Sequence, residues 1–170
     1  FDVSKPWLDR VVGRAPRQVL HAVDGVSFCV RRGETLALVG ESGCGKSTLA
    51  RMCVGLLTPS RGSLAFAGVR LYGDGASATP AVRRRARASM QMIFQDPYAS
   101  LNPRWRVADL VGEPIAAAEP RIAARDLSQR VAALLDQVGL SGSDAQKYPH
   151  QFSGGQRQRI SIARALSTRP

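Results

Sequence analysis

Apolar residues fall in short bursts along this chain, and the spacing within each burst predicts the element it forms. Residues 26–30 (VSFCV) alternate apolar and polar, the pattern of a half-buried strand. Arg31-Arg32-Gly33 turns the chain. Residues 35–39 (TLALV) are a continuous apolar run ending at Gly40, which predicts a fully buried parallel strand. A glycine-rich loop at 40–45 leads into a helical pattern from Lys46 to Leu57 that stops before Pro59. Residues 63–67 (SLAFA) predict a further strand broken by Gly68, and 73–80 (GDGASATP) a surface loop. Arg83, Arg84, Arg85 and Arg87 read as a solvated face ahead of strand-like 90–94 (MQMIF). Pro97, Pro103, Pro114 and Pro120 mark a loop-rich stretch with short helices. Leu127, Val131, Leu134, Leu135 and Val138 then recur at helical spacing over 126–138. Residues 139–152 read as a linker, and a last helix starts at Ser153–Gly154 and runs to about Ser167.

Composition narrows the class. At 170 residues the chain is sized for one ordinary domain. No apolar run is long enough for a transmembrane helix. The 24 Lys and Arg against 13 Asp and Glu leave a net charge of +11, carried almost wholly by arginine. Such a charge suits nucleic acid, an acidic membrane surface or phosphates, or reflects an Arg-rich compositional bias. Cys29, Cys44 and Cys53 form no CxxC pair, which fits a reducing compartment without a disulfide framework or zinc site. The chain opens on Phe1 and closes on Pro170 directly after a helical pattern, so a segment of a longer protein is expected.

Candidate chemistry begins at Gly40-Glu41-Ser42-Gly43-Cys44-Gly45-Lys46-Ser47, which fits G-x-x-x-x-G-K-[ST] between a predicted strand and a predicted helix. Glycines allow a tight turn whose N–H groups converge on an anion, and the helix start adds partial positive charge. Lys46 is expected to reach the β- and γ-phosphates of a nucleotide, Ser47 to ligate Mg²⁺, and Thr48 to add a hydroxyl near the α-phosphate. Cys44 lies within this nest, so its modification by a thiol reagent is expected to inactivate the loop and to be prevented by ATP. A second constellation, Phe152-Ser153-Gly154-Gly155-Gln156-Arg157-Gln158-Arg159, opens the last helix with an N-cap serine and two glycines. It reads either as a second anion site or as an ordinary capped helix with a glycine entry.

Together these segments resemble the nucleotide-binding subunits of ABC transporters. The resemblance rests on the loop GESGCGKST at 40–48, the segment FQDPYASLNPR at 94–104 and the signature FSGGQRQRISIARAL at 152–166, in that order, and covers the chain from about residue 19. The wording QDPYASLNPR, with AVDGVSF at 22–28 and YPHQFSGGQ at 148–156, is most similar to the peptide and nickel importer branch, in particular the second ATPase of dipeptide/oligopeptide importers.

The resemblance implies an α/β P-loop NTPase core with a mostly helical subdomain, truncated. Residues 1–95 would be the front of the ATP-binding core, 96–150 the helical subdomain facing a permease, and 151–170 the signature helix. It implies ATP and Mg²⁺ as ligands. Gly40, Glu41, Ser42, Gly43, Cys44, Gly45, Lys46, Ser47 and Thr48 would hold the nucleotide. Ser153, Gly154, Gly155 and Gln156 would meet the γ-phosphate bound by a second ATPase subunit in a head-to-tail dimer. Gln95 would contact Mg²⁺ beside Ser47 and the attacking water. Phe1, or else Trp7, is the candidate for stacking on adenine. Permease subunits, and indirectly a substrate-binding protein, are the implied partners, at the cytoplasmic face of the bacterial inner membrane; no nucleic acid is expected.

In this family a strand ending Asp-Glu and a switch histidine follow the signature. Neither His21 nor His150 matches the histidine, and Ala132–Asp136 precedes the signature within a helical period, so Asp136 takes no catalytic role. The 170 residues alone are therefore expected not to hydrolyse ATP efficiently. The competing reading is a non-transport ABC-type ATPase of DNA repair or regulation. The short interval between loop and signature leaves no room for a long coiled coil, and the cysteine pairs of zinc-bearing repair ATPases are missing.

Overall fold

The structure, a computed structural model, describes residues 20–73, 78–96 and 100–170. The chain divides into two units, Phe1–Ser60 and Arg61–Pro170. Phe1 and Trp7 lie outside the described residues.

In the first unit helix α1 spans Lys46–Cys53, four residues shorter than its apolar pattern predicts. The reason is Gly55, at φ 73°. It lets the Gly55 N–H reach the Met52 carbonyl (3.0 Å) and the Leu56 N–H reach back to Arg51 (2.8 Å). These are the two bonds of a Schellman stop, which satisfies the last carbonyls and ends the helix. The predicted turn at 31–34 closes with Glu34 N–H on the Arg31 carbonyl (3.0 Å) and the Glu34 carboxylate on the Arg31 N–H (2.8 Å).

The strands predicted at 26–30 and 35–39 do not form among the described residues. Their apolar side chains are exposed, Val39 to 92%. Apolarity selects a buried site, but a strand exists only through the ladder of a neighbour. The same correction applies to 90–94, which forms no strand among the described residues and is tied instead by Gln91 Nε2 to Thr168 Oγ1 (3.0 Å).

The second unit opens with an antiparallel hairpin, β1 Leu64–Phe66 and β2 Val69–Tyr72, in the register Phe66↔Val69 and Ala65↔Arg70, with an irregularity next to Leu64. Ala67 (φ 48°) and Gly68 (φ 78°) form the two-residue turn. This conformation matches the twist of the strands it joins. Helix α2 (Pro80–Ala88) contains the arginine cluster. Thr79 caps it, accepting from Val82 N–H, and Pro80 sits in the first turn where its missing N–H costs nothing. Arg87 donates to the Tyr72 hydroxyl (2.7 Å), and Arg83 lies over the Tyr72 ring at 5.8 Å.

Three helices form the main core: α3 (Val107–Ala118), α4 (Ala124–Gln137) and α5 (Gly154–Leu166). Val107, Leu110, Val111 and Ile115 of α3 meet Val131 and Leu135 of α4 and Ile160 and Ala163 of α5, with Leu101, Leu140 and Phe152 closing the ends. The α4 and α5 patterns are where the sequence predicts them to within two residues. Residues 139–152 contain two short 3₁₀ turns, Gly142–Gln146 and Pro149–Gln151. The first carries a capping box between Ser141 and Asp144, and Lys147 closes on Asp144 at 2.6 Å.

Candidate functional site

The loop at 40–48 is built by its glycines. Gly45, at φ 97°, is the N-cap of α1, and a Cβ there would run into the Ala22 backbone carbonyl. Only glycine fits this left-handed position against a neighbouring backbone. Gly43 (φ 83°) turns the chain one step earlier, and Cys44 N–H closes on the Glu41 carbonyl (3.3 Å). Among the described residues no side chain caps α1, and its first turn holds no acidic residue. Its N-terminal N–H groups and the helix dipole are thus left for an anion. Lys46 folds back over the loop, its Nζ 2.7 Å from the Gly40 carbonyl and 2.6 Å from that of Glu41. Ser47 is exposed, and Thr48 is half-buried. A glycine cradle, an uncapped helix start and an ammonium held at the loop by two carbonyls fit a nucleotide's phosphates. The Ser47 hydroxyl in the first turn is a hard oxygen donor of the kind Mg²⁺ takes.

Cys44 is exposed, with Sγ 3.5 Å from Lys46 Nζ. Cys53 differs: partial burial pushes its thiol above the ordinary value, the neutral form of an unreactive cysteine.

The signature segment belongs to the second unit. Ser153 is the N-cap of α5: its Oγ accepts from Gln156 N–H (3.3 Å), and Gln156 Oε1 accepts from Ser153 N–H (2.9 Å). This reciprocal box fixes the helix start. Gly154 and Gly155 are exposed in the first turn, and a Cβ at either would meet nothing within 4 Å. Their smallness is therefore not required by packing against the described residues. It leaves the helix terminus open to something from outside. Gln95 is exposed, at a bend directly after 90–94. The nine loop residues are thus gathered in the first unit, Ser153–Gln156 at one helix start in the second, and Gln95 elsewhere in the second. Asp136 lies exposed near the end of α4, a helix as its flanks predict.

The arginines of α5 escaped the sequence reading. Arg157 is buried and donates to Pro149 and His150; Arg159 donates to the Gly139 carbonyl (3.2 Å); Arg164 donates to the Ser100 carbonyl (3.0 Å) and Glu113 (3.2 Å). Part of the positive charge is therefore committed to backbone carbonyls. Burial of an arginine has no local signal, because the side chain is exposed in most contexts.

A family model described as "ABC transporter" matches residues 23–170. The chain is 47% identical over 172 residues to the oligopeptide transport ATP-binding protein OppF of Salmonella typhimurium, across all of this chain and 49% of that protein. It is 48% identical to OppF of Bacillus subtilis, across 91% of this chain and 50% of that one. The di/tripeptide transport ATP-binding protein DppF of Pseudomonas aeruginosa is 46% identical, across 89% of this chain and 45% of that one. The chain thus spans about half the length of the curated relatives it matches. Among solved structures, cbiO1 from Clostridium perfringens, part of the ABC transporter complex cbiONQ, aligns with TM-score 0.71 and 29% identity over 88% of this chain and 56% of that one. The ATP-binding cassette MJ0796, in a dimeric post-hydrolysis state bound to ADP and Pi, aligns with TM-score 0.75 and 26% identity over 88% of this chain and 62% of that one.

Proposed function

This chain belongs to the ABC transporter family, and we propose that the protein containing it binds ATP with Mg²⁺ and hydrolyses it to drive import of oligopeptides or dipeptides. The observation that carries the proposal is the Gly40–Thr48 loop, with its glycine N-cap, uncapped helix start and overhanging Lys46. The peptide class is supported by identities of 46–48% to relatives named as oligopeptide and di/tripeptide transport ATP-binding proteins.

Each residue then has a task. The backbone N–H groups of Gly43 to Ser47 wrap the β-phosphate, and the α1 dipole favours its charge. Lys46 exchanges its carbonyl partners for phosphate oxygens, a charge-assisted and stronger bond. Ser47 Oγ ligates Mg²⁺, with Thr48 on the α-phosphate side. Mg²⁺ held by Ser47 and Gln95 would supply positive charge to the phosphates as negative charge develops on them. Gln95, exposed and amide-bearing, orients water at the γ-phosphate and completes the metal's surroundings. Ser153 and the N–H groups of Gly154 and Gly155, with Gln156 bracing the turn, meet the γ-phosphate held by a second ATPase subunit. That pairing is supported by the exposed glycines of α5 and by the dimeric state of MJ0796. Among the described residues no helix is long and apolar enough to cross a membrane. In this reading the protein sits peripherally on permease subunits at the cytoplasmic face of the inner membrane, served indirectly by a substrate-binding protein.

The experiment is affinity purification of the full-length protein from membranes, followed by ATP-dependent uptake of labelled di- and oligopeptides into vesicles containing the recovered complex. Copurified permease with ATP-dependent peptide uptake is expected. Recovery without an integral membrane partner, with ATPase activity stimulated by DNA, would contradict the transport reading.

A further inference from the structure

The proposed work of the signature depends on where the first turn of α5 points, and Arg157 bonds that helix to the segment that enters it. The residue lies one turn inside the helix, buried. Its Nε donates to the Pro149 carbonyl at 2.7 Å and its Nη2 to the His150 carbonyl at 3.4 Å. Both acceptors belong to the 3₁₀ turn Pro149–Gln151, which passes through buried Phe152 directly into Ser153. The guanidinium therefore straps the incoming segment to the helix that the segment enters. The other arginines of α5 act farther along: Arg159 on Gly139, and Arg164 on Ser100 and Glu113. Arg157 is the one that acts at the phosphate-facing end.

We propose that Arg157 is a positioning residue for phosphate capture by the signature turn. This rests on the reading that Ser153, Gly154 and Gly155 meet a γ-phosphate. The Ser153–Gln156 capping box fixes where the helix begins. It does not fix the angle between the helix and the segment before it. Arg157 fixes that angle, through two donors set in a rigid plane that a lysine cannot reproduce. Without it the N–H groups of Gly154 and Gly155 remain on a helix terminus but lose their fixed direction. Donors aimed at a reacting phosphoryl group act through placement, and a misplacement of about 1 Å costs about 100-fold in rate.

The test uses the full-length protein with Arg157→Met, which keeps the aliphatic stem, and Arg157→Lys, which keeps one donor. ATP affinity from titration, KM and kcat are measured for each. The proposal predicts ATP affinity and KM within about twofold of the parent, since the phosphate loop is untouched. It predicts kcat lower by about 10- to 100-fold in Arg157→Met, with Arg157→Lys intermediate. Parental kcat in a folded Arg157→Met protein would overturn the proposal, as would a parallel fall in kcat and ATP affinity. If Arg157→Met does not fold, Arg157→Lys decides: reduced kcat with unchanged ATP affinity supports positioning, and unchanged kcat overturns it. Failure of the parent protein to bind ATP would instead overturn the phosphate-loop reading.

Discussion

Lys46 Nζ donates to the carbonyl of Gly40 at 2.7 Å, six residues back along the chain. This bond spans the glycine loop that leads into α1, whose start has no side-chain cap among the described residues. In the proposed reading this pre-formed loop offers ATP donors that need little reorganisation.

Gly45→Ala tests whether the loop's shape depends on its backbone. Alanine would have to adopt φ near 97° and place Cβ against the Ala22 carbonyl. The left-handed conformation alone costs about 1–2 kcal/mol, and the collision adds to it. Denaturant unfolding of the full-length variant is expected to show a loss above that range, together with loss of ATP binding. A variant as stable as the parent would show that the loop relaxes freely.

Ser153→Ala and Gly154→Ala separate the fold of the signature turn from its use. Ser153→Ala removes the oxygen that caps Gln156 N–H and is expected to cost about 0.5–2 kcal/mol. Gly154→Ala adds a methyl that meets nothing within 4 Å in this chain, so helix propensity favours it by about 0.5–1 kcal/mol. Yet the methyl would stand where the proposed partner phosphate docks. The expected outcome is stability unchanged or raised with kcat lowered; equal stability with unchanged kcat would remove Gly154 from the site.

The 3₁₀ turn ahead of the signature gives a pH dependence. The side-chain hydrogen bond from Lys147 (2.6 Å), helped by the Ser141 N–H (3.0 Å), holds the Asp144 carboxyl below its ordinary value of 3.8. A carboxyl that ionises more readily folded than unfolded stabilises the fold above that ordinary value. The contribution is lost as pH falls through the lower folded value. The urea midpoint of Asp144→Asn should therefore lie below the parent's at neutral pH, and the difference should close as pH falls through the lowered folded value. A difference independent of pH would assign the effect to packing.

What could be read from the chain alone was what is local. The phosphate loop and the start of α5 are set by residues within eight positions of one another, and α4 by its own periodicity. The hairpin partner Val69–Tyr72 was missed because it is four residues long and enters through Ala67-Gly68 rather than an Asn-Gly turn. The shortening of α1 turned on Gly55, whose left-handed stop outweighs the apolar Leu56 and Leu57. The segments 26–30, 35–39 and 90–94 failed as strands because pairing depends on a neighbour that no local pattern names. Arg157 was invisible because its partners, Pro149 and His150, are carbonyls whose presentation depends on the folded 3₁₀ turn.

The most direct test of the central claim is titration of the full-length protein with ATP and Mg²⁺, parent against Lys46→Ala. Lys46 is held by two carbonyls, 2.7 and 2.6 Å away, where phosphate would replace them. Hydrogen bonds to a charged group contribute about 1.5–3 kcal/mol, so ATP is expected to bind Lys46→Ala about 10- to 100-fold more weakly while the variant unfolds at the parent's midpoint. Parental affinity in Lys46→Ala would contradict the account, because the loop would then not be where the nucleotide binds.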